Sequence, residues 1–284
     1  MSGTSEYKKG LKCIKTGLFK WKPDFASAAI HFEAASKAFE QERNIDGAID
    51  AYEQLAKVNE QMNDIWAAAR NYETIAILSV RNEKYSKAAE ATEKAVEFFR
   101  INGNGEKALR MYLFIAAEFK SKELIELSNK MYALAINLLA DEQLYQFTKD
   151  VTTPYATLLL ENRLLKDAMT IYEKELLFAQ ALKRDHHINK VAMCILALIL
   201  VDNPGVKEEK FREICRIECF PMSAEYSTIS DLYDAYDEGN QPKYDAAARK
   251  VSWNHIEAPL VRFVRAIVLT AKPQVNEEED FDFK

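Results

Sequence analysis

Small and aromatic positions return every twenty residues through the first two thirds of the chain. From Ala28, a small residue recurs at Ala48, Ala68, Ala88, Ala108, Ser128, Thr148 and Ala168. Four places after each stand Phe32, Tyr52, Tyr72, Thr92, Tyr112, Tyr132, Thr152 and Tyr172, six of the eight aromatic. A third set follows at Ala35, Leu55, Ile75, Ala95, Ile115, Ala135 and Tyr155. Sites at i, i+4 and i+7 share one face of an α-helix. Polar breaks at Asn44, Asp64, Asn82-Glu83-Lys84 and Gly103-Asn104-Gly105 separate these faces, so each period predicts one helix and one short turn.

A single amphipathic helix cannot bury its own stripe. Alanine permits close backbone approach and the neighbour's ring fills the adjoining space, so the helices are expected to stack as antiparallel pairs. The small-then-aromatic pattern is of the tetratricopeptide (TPR) kind, with a longer unit than its usual ~34 residues. The expected fold is therefore all-α: a TPR-like superhelical solenoid over residues 1–200. The period fails after about residue 200, where Asn203-Pro204-Gly205 breaks the chain. Helices are expected over Lys207–Cys219, Ser227–Glu238 with Ser223 as N-cap, Tyr244–Val251 and Ala258–Lys272. They make residues 201–272 a C-terminal helical bundle that caps the solenoid. Pro273 ends the last helix, and residues 273–284 read as an acidic tail without regular structure.

Composition agrees with this and narrows function. Of 284 residues 48% are apolar, while only 8 Gly and 7 Pro occur, which supports a large helical core and disfavours a many-stranded sheet. The net charge of −6 argues against nucleic acid as a partner. Charge is polarised: Lys8, Lys9, Lys12, Lys15, Lys20 and Lys22 crowd the start, and Glu277, Glu278, Glu279, Asp280 and Asp282 the end. No signal-like segment opens the chain, and the longest apolar run, Val191 to Val201, is too short to span a bilayer. That run predicts a helix buried on all sides. Four cysteines are too few for a disulfide framework, so a cytoplasmic setting is expected.

Catalytic chemistry finds no foothold. The sequence has no glycine-rich phosphate loop, no G-x-S-x-G and no H-E-x-x-H, and it calls for no cofactor or metal. His186-His187 reads as part of a solvated turn, and Cys215 with Cys219 as packing residues one turn apart on a helix. Three segments ask for a partner instead. Leu18, Phe19 and Trp21, interleaved with Lys20 and Lys22, suit a membrane interface; tucking under the first helix pair is the alternative. Asp234, Asp237 and Glu238 are spaced to share one helix face near its end. The acidic tail carries Phe281 and Phe283, more than solubility requires.

These segments resemble the soluble NSF attachment proteins (SNAPs). Lys15-Thr-Gly-Leu-Phe-Lys-Trp-Lys-Pro-Asp-Phe-Ala-Ser-Ala-Ala29 is similar to the gamma branch. Ser230-Asp-Leu-Tyr-Asp-Ala-Tyr-Asp-Glu-Gly-Asn240 with Tyr244, and the ending Glu278-Glu-Asp-Phe-Asp-Phe-Lys284, resemble the family's acidic helix and tail, with Phe283 where the alpha branch has leucine. The resemblance implies a non-enzymatic adaptor that joins SNARE complexes (syntaxin-type) to the NSF-type hexameric ATPase in vesicle-mediated transport. By position, Leu18, Phe19, Trp21, Lys20 and Lys22 would be the loop of a peripheral membrane contact. Asp234, Asp237, Glu238, Asp280, Phe281, Asp282 and Phe283 would bind the ATPase, and Phe283 would stimulate its turnover. The SNARE-gripping cations cannot be assigned. A TPR-like scaffold for an extended peptide is the rival reading.

Overall fold

The computed structural model describes residues 2–16 and 21–269, and these form fourteen α-helices and no strand. The chain divides into two compact units, Met1–Phe147 and Thr148–Lys284.

In unit 1, α1 (Gly3–Ile14) precedes α2 (Phe25–Gln41), α3 (Ile45–Gln61), α4 (Ile65–Arg81), α5 (Tyr85–Ile101), α6 (Gly105–Ser121) and α7 (Ile125–Asp141). Each of α2 to α7 is 17 residues long, and each of α3 to α7 begins twenty residues after the last. Three-residue turns fold each helix back on the one before, so contacts run mainly between sequence neighbours, as in a helical repeat stack. The small positions Ala28, Ala48, Ala68, Ala88, Ala108 and Ser128 are all at 0% exposure, which is the close approach the period predicts.

The turns are as periodic as the helices. The penultimate turn residue is left-handed at Arg43, Asn63, Glu83, Gly103, Glu123 and Gln143, with φ between 53° and 74°. The amide of the following residue then donates back to a carbonyl five earlier, as in Asn44 to Phe39 at 2.9 Å and Asn104 to Phe99 at 2.8 Å. This pairing satisfies carbonyls orphaned at the helix end. The same Asn44 accepts from the Gly47 amide at 2.9 Å, so one residue closes one helix and caps the next.

α1 follows the same grammar out of phase. Gly3, Tyr7 and Gly10 lie twenty-five residues before Ala28, Phe32 and Ala35, the offset being set by the longer connection. A Cβ on Gly3 would stand 2.5 Å from the Phe39 ring and one on Gly10 2.7 Å from Phe32. Glycine is what lets these rings touch the α1 backbone, with Tyr7 packed edge-on to Phe32 at 5.5 Å.

Unit 2 holds α8 (Thr148–Glu161), α9 (Leu165–Ala181), α10 (Asp185–Asp202), α11 (Lys207–Ile214), α12 (Ala224–Glu238), α13 (Gln241–Ala247) and α14 (Ala258–Arg265). As expected from its apolar run, α10 is buried continuously from Val191 to Leu200, surrounded by α9, α11, α12 and α14. Buried aromatic side chains tie these helices to backbone carbonyls: Tyr233 donates to Leu196 at 2.8 Å, Tyr244 to Val264 at 3.0 Å and Trp253 to Ala247 at 3.0 Å.

Several expectations are corrected here. α11 ends at Ile214, so Cys215 and Cys219 do not share a helix. Ile214 and Phe220 are both buried, and six residues of continuous helix would point them well apart; turns bring both inward. α12 starts three residues earlier than expected, with Ser223 capping it as predicted. The helix expected over Tyr244–Val251 lies at Gln241–Ala247. α14 stops at Arg265 because the Gln241 amide captures the chain beyond it, accepting from Leu269 N–H at 2.8 Å and donating to the Ile267 carbonyl at 3.3 Å. His187 is not in a solvated turn: it lies in the first turn of α10, 4% exposed, against Glu175 at 2.6 Å. Of the pair, His186 alone is exposed.

Candidate partner-binding surfaces

At the start of unit 1, α1 turns Lys8 and Lys12 outward at i and i+4, and Lys15 is exposed at its C-cap. Lys9 instead pairs with Glu6 at 2.7 Å, and His31 Nδ1 meets the other oxygen of the same carboxylate at 2.8 Å. The Lys9 and His31 hydrogen bonds hold the Glu6 carboxyl below its usual range against the opposing effect of burial. Glu6 thereby ties α1 to α2 and fixes which face of α1 remains cationic. Beyond the α1 end, the Asp24 amide donates to the Cys13 carbonyl at 3.0 Å, closing the base of the connection. Trp21 on that connection is 89% exposed rather than tucked inward, and Lys22 is exposed beside it. Leu18, Phe19 and Lys20 lie outside the described residues.

In unit 2, the sequence placed Asp234, Asp237 and Glu238 on one face, and the structure separates them. Asp237 turns to Lys207 at 2.6 Å, whose ammonium also lies over the Tyr233 ring at 5.5 Å. Asp234 and Glu238 face the other way, into a groove of about 410 Å³ floored by Ala235, Ala246 and Ala247 of α12 and α13. Asp231 joins them and had been missed, although its i, i+3, i+7 spacing with Asp234 and Glu238 was legible. Lys250 pairs with Asp231, and Lys243 with Glu238 at 2.7 Å. Asp234 is exposed and has no counter-ion among the described residues. Asp280, Phe281, Asp282 and Phe283 lie outside the described residues.

Several cations of unit 1 bridge its helices. Lys87 of α5 pairs with Glu53 of α3 at 2.8 Å, Lys107 of α6 with Glu73 of α4 at 3.4 Å, and Lys130 of α7 with Glu93 of α5 at 2.7 Å. Each bridges alternate helices of the stack, and the first two are related by the twenty-residue step.

One buried polar network could be mistaken for a reaction centre. Glu257 of unit 2 accepts from Tyr172 at 3.0 Å and from Lys190 at 3.2 Å, with Cys194 Sγ 3.9 Å away. Burial pushes the Tyr172 hydroxyl and the Cys194 thiol well above their usual ranges, so neither is an available nucleophile. Among the described residues no group of three or more His, Cys, Asp or Glu is arranged to hold a metal ion.

What the chain offers is therefore two charged, exposed surfaces on a helical-repeat frame, one cationic with an exposed indole and one acidic. Comparison with known proteins decides their context. The family model described as soluble NSF attachment protein, SNAP, matches residues 4–252. The chain belongs to this family. SNAP proteins are adaptors rather than enzymes, and a SNAP-type role in membrane trafficking follows for this chain. It is 24% identical over 245 residues to a gamma-soluble NSF attachment protein of Dictyostelium discoideum, covering 84% of this chain and 73% of that one. It is 22% identical over 280 residues to the gamma-soluble NSF attachment protein of Arabidopsis thaliana, covering 96% and 95%. Among solved structures, aspartyl phosphate phosphatase F from Bacillus subtilis is similar at 13% identity and a TM-score of 0.37, covering 96% of this chain and 72% of that one, too distant to bear on function. No helix of this SNAP among the described residues is long and apolar enough to cross a membrane.

Proposed function

We propose that this SNAP is an adaptor that binds assembled SNARE complexes, recruits an NSF-type hexameric ATPase to them and stimulates its turnover. The family match across residues 4–252 carries this reading. Residues 1–200 form the SNARE-holding frame, 201–272 the cap presented to the ATPase, and 273–284 a stimulating tail. Two exposed surfaces support that division of labour. On α12, Asp234 is an unneutralised carboxylate between two that are half-satisfied by lysines, a surface suited to a basic partner. Glu238 is one of that flanking pair, Asp237 presents its carboxylate on the opposite side of α12, paired with Lys207, and Asp280, Phe281, Asp282 and Phe283 serve as the tail. In unit 1, Trp21 and Lys22 with Leu18, Phe19 and Lys20 serve as a peripheral membrane contact, and the outward lysines of α1 add attraction to anionic lipid.

The test is capture of a purified NSF-type ATPase on this protein, with and without a preassembled syntaxin-type SNARE complex, reading ATP turnover in the same reaction. SNARE-dependent capture, weakened in Asp234→Asn and with turnover lost in Phe283→Ala, is the expected result. No capture in either condition overturns the proposal.

A further inference from the structure

The hairpin of α12 and α13 carries opposite charges in matching register. Gly239 ends α12 in the left-handed region at φ 68°, and Asn240 caps α13 at once, its side chain accepting from the Lys243 amide at 3.1 Å. The chain therefore turns back with no loop between the helices, and α13 packs on α12. Asp231 and Glu238 stand seven residues apart on α12, two helical turns, and Lys243 and Lys250 stand seven apart on the returning segment. Lys243 meets Glu238 at 2.7 Å next to the turn, and Lys250 meets Asp231 further from it, so the segments run antiparallel and are clasped at both ends.

Between the two clasps the ladder has a gap. Asp234 stands there on α12, and the α13 residues that line the groove between the lysines are Ala246 and Ala247, too short to reach a carboxylate. The two lysines are held unequally. The Lys250 side chain is 36% exposed and also lies 3.5 Å from the Ser227 carbonyl, whereas that of Lys243 is 62% exposed and meets Glu238 alone among the acids. Ion pairs this open to water are weak, so an incoming cation can displace either lysine at a cost of up to about fivefold in affinity.

We propose that Lys243 and Lys250 are built-in competitors for the basic groups of the partner that binds α12: they hold the two outer carboxylates, leave Asp234 as the point of entry, and must be displaced before a partner gains the whole acidic face. This inference rests on the reading of α12 as the ATPase-binding surface, and adds what limits its affinity. A cation seated against Asp234 lies between two ammonium groups that repel it, and reaches Asp231 or Glu238 only by releasing a lysine. An isolated basic side chain therefore meets one free carboxylate, whereas a surface presenting several cations together replaces both lysines. The clasp thus selects multiply basic partners over singly basic ones.

The test compares Lys243→Met, Lys250→Met and the double variant with the parent, all as full-length proteins, at about 50 mM and 200 mM salt. Two readouts are used: capture of a purified NSF-type ATPase on a preassembled SNARE complex, and titration with a fluorescent oligo-arginine peptide. Tighter binding is expected in both, by about two- to fivefold for each single variant and about tenfold for the pair, the gain shrinking as salt rises. Most of the gain should disappear when Asp231→Asn/Glu238→Gln is added, because no carboxylate is then left to free. Lys149→Met/Lys166→Met, which removes two exposed lysines of unit 2 outside this groove, makes the same change in net charge and should bind as the parent does. Far-ultraviolet circular dichroism checks that each variant is folded. Where the parent captures the ATPase, a double variant that binds it no tighter overturns the proposal, as does an equal gain in Lys149→Met/Lys166→Met. Where neither captures it, the docking reading of α12 fails and the peptide decides the competition alone: tighter binding by the double variant upholds it, and unchanged or weaker binding overturns it.

Discussion

Replacing Glu257 by glutamine preserves shape and removes one charge at the junction of α9, α10 and α14. In the native protein that carboxylate accepts from Tyr172 at 3.0 Å and neutralises Lys190 at 3.2 Å. Its side chain is 4% exposed and that of Lys190 16%, so the variant leaves an ammonium largely out of water with no counter-ion. Breaking a buried pair from one side costs roughly 3–5 kcal/mol, and the partial access of Lys190 to solvent lowers that to about 2–3 kcal/mol. For a unit of this size, each kcal/mol shifts the midpoint by roughly 2–4 °C, so a loss of about 4–12 °C in Tm is expected. Unfolding of unit 2 can be followed through Trp253, which is buried, in a Trp21→Phe/Trp66→Phe background. Glu257→Gln/Lys190→Met removes the orphaned charge and should recover most of the loss. Burial, the largest single effect, lowers the Lys190 pKa, but the charge and hydrogen bond of Glu257 together with the other nearby groups outweigh it and raise the value above 10.5. A raised cationic pKa contributes stability below the unfolded value and loses it as pH climbs through the folded one, so this stabilisation should fade only above pH 10.5. A single-variant loss under about 1 kcal/mol, or a double variant as unstable as the single one, would refute the charge argument.

Gly10→Ala should destabilise unit 1 by about 1–3 kcal/mol in urea melts, because the new methyl meets the Phe32 ring. Gly103→Ala should lose about 1 kcal/mol although nothing lies within 4 Å of the added Cβ, because φ is +74°; Glu123→Gly, at φ +60°, should gain about 0.5–1 kcal/mol by the same reasoning. Glu6, whose carboxyl is held below its usual 4.5 by Lys9 and His31, should lend stability above pH 4.5 that drains away as pH falls through its folded value. Acid titrations of parent and Glu6→Gln, followed by circular dichroism, should therefore converge at low pH and separate above it.

The repeat was the most legible part of this protein because its determinants are local. Positions i, i+4 and i+7 select a helix face, and Asn44, Asp64 and Asn104 carry side chains that cap the helix they begin. A period of twenty therefore implies one helix and one short turn with buried small residues, and the structure has 17-residue helices, three-residue turns and alanines at zero exposure. The same local logic placed the α10 run in the core. The step of twenty did not extend to the first helix, α1, because a longer connection put Gly3, Tyr7 and Gly10 out of register with it.

Tertiary structure decided everything that joins residues distant in sequence. The burial of His187 depends on Glu175 arriving from α9, and the early end of α14 on a glutamine 26 residues upstream. Helical spacing put Asp237 within reach of Glu238's face, but a lysine thirty positions earlier pulls it to the other side. Likewise, Arg100 at the end of α5 finds its counter-ion in Glu142, 42 positions on, at 2.8 Å. Local spacing fixes the direction of a side chain to within a helix face. Which opposite charge lies in that direction is set by packing, and with it which carboxylates of this SNAP remain free for a partner.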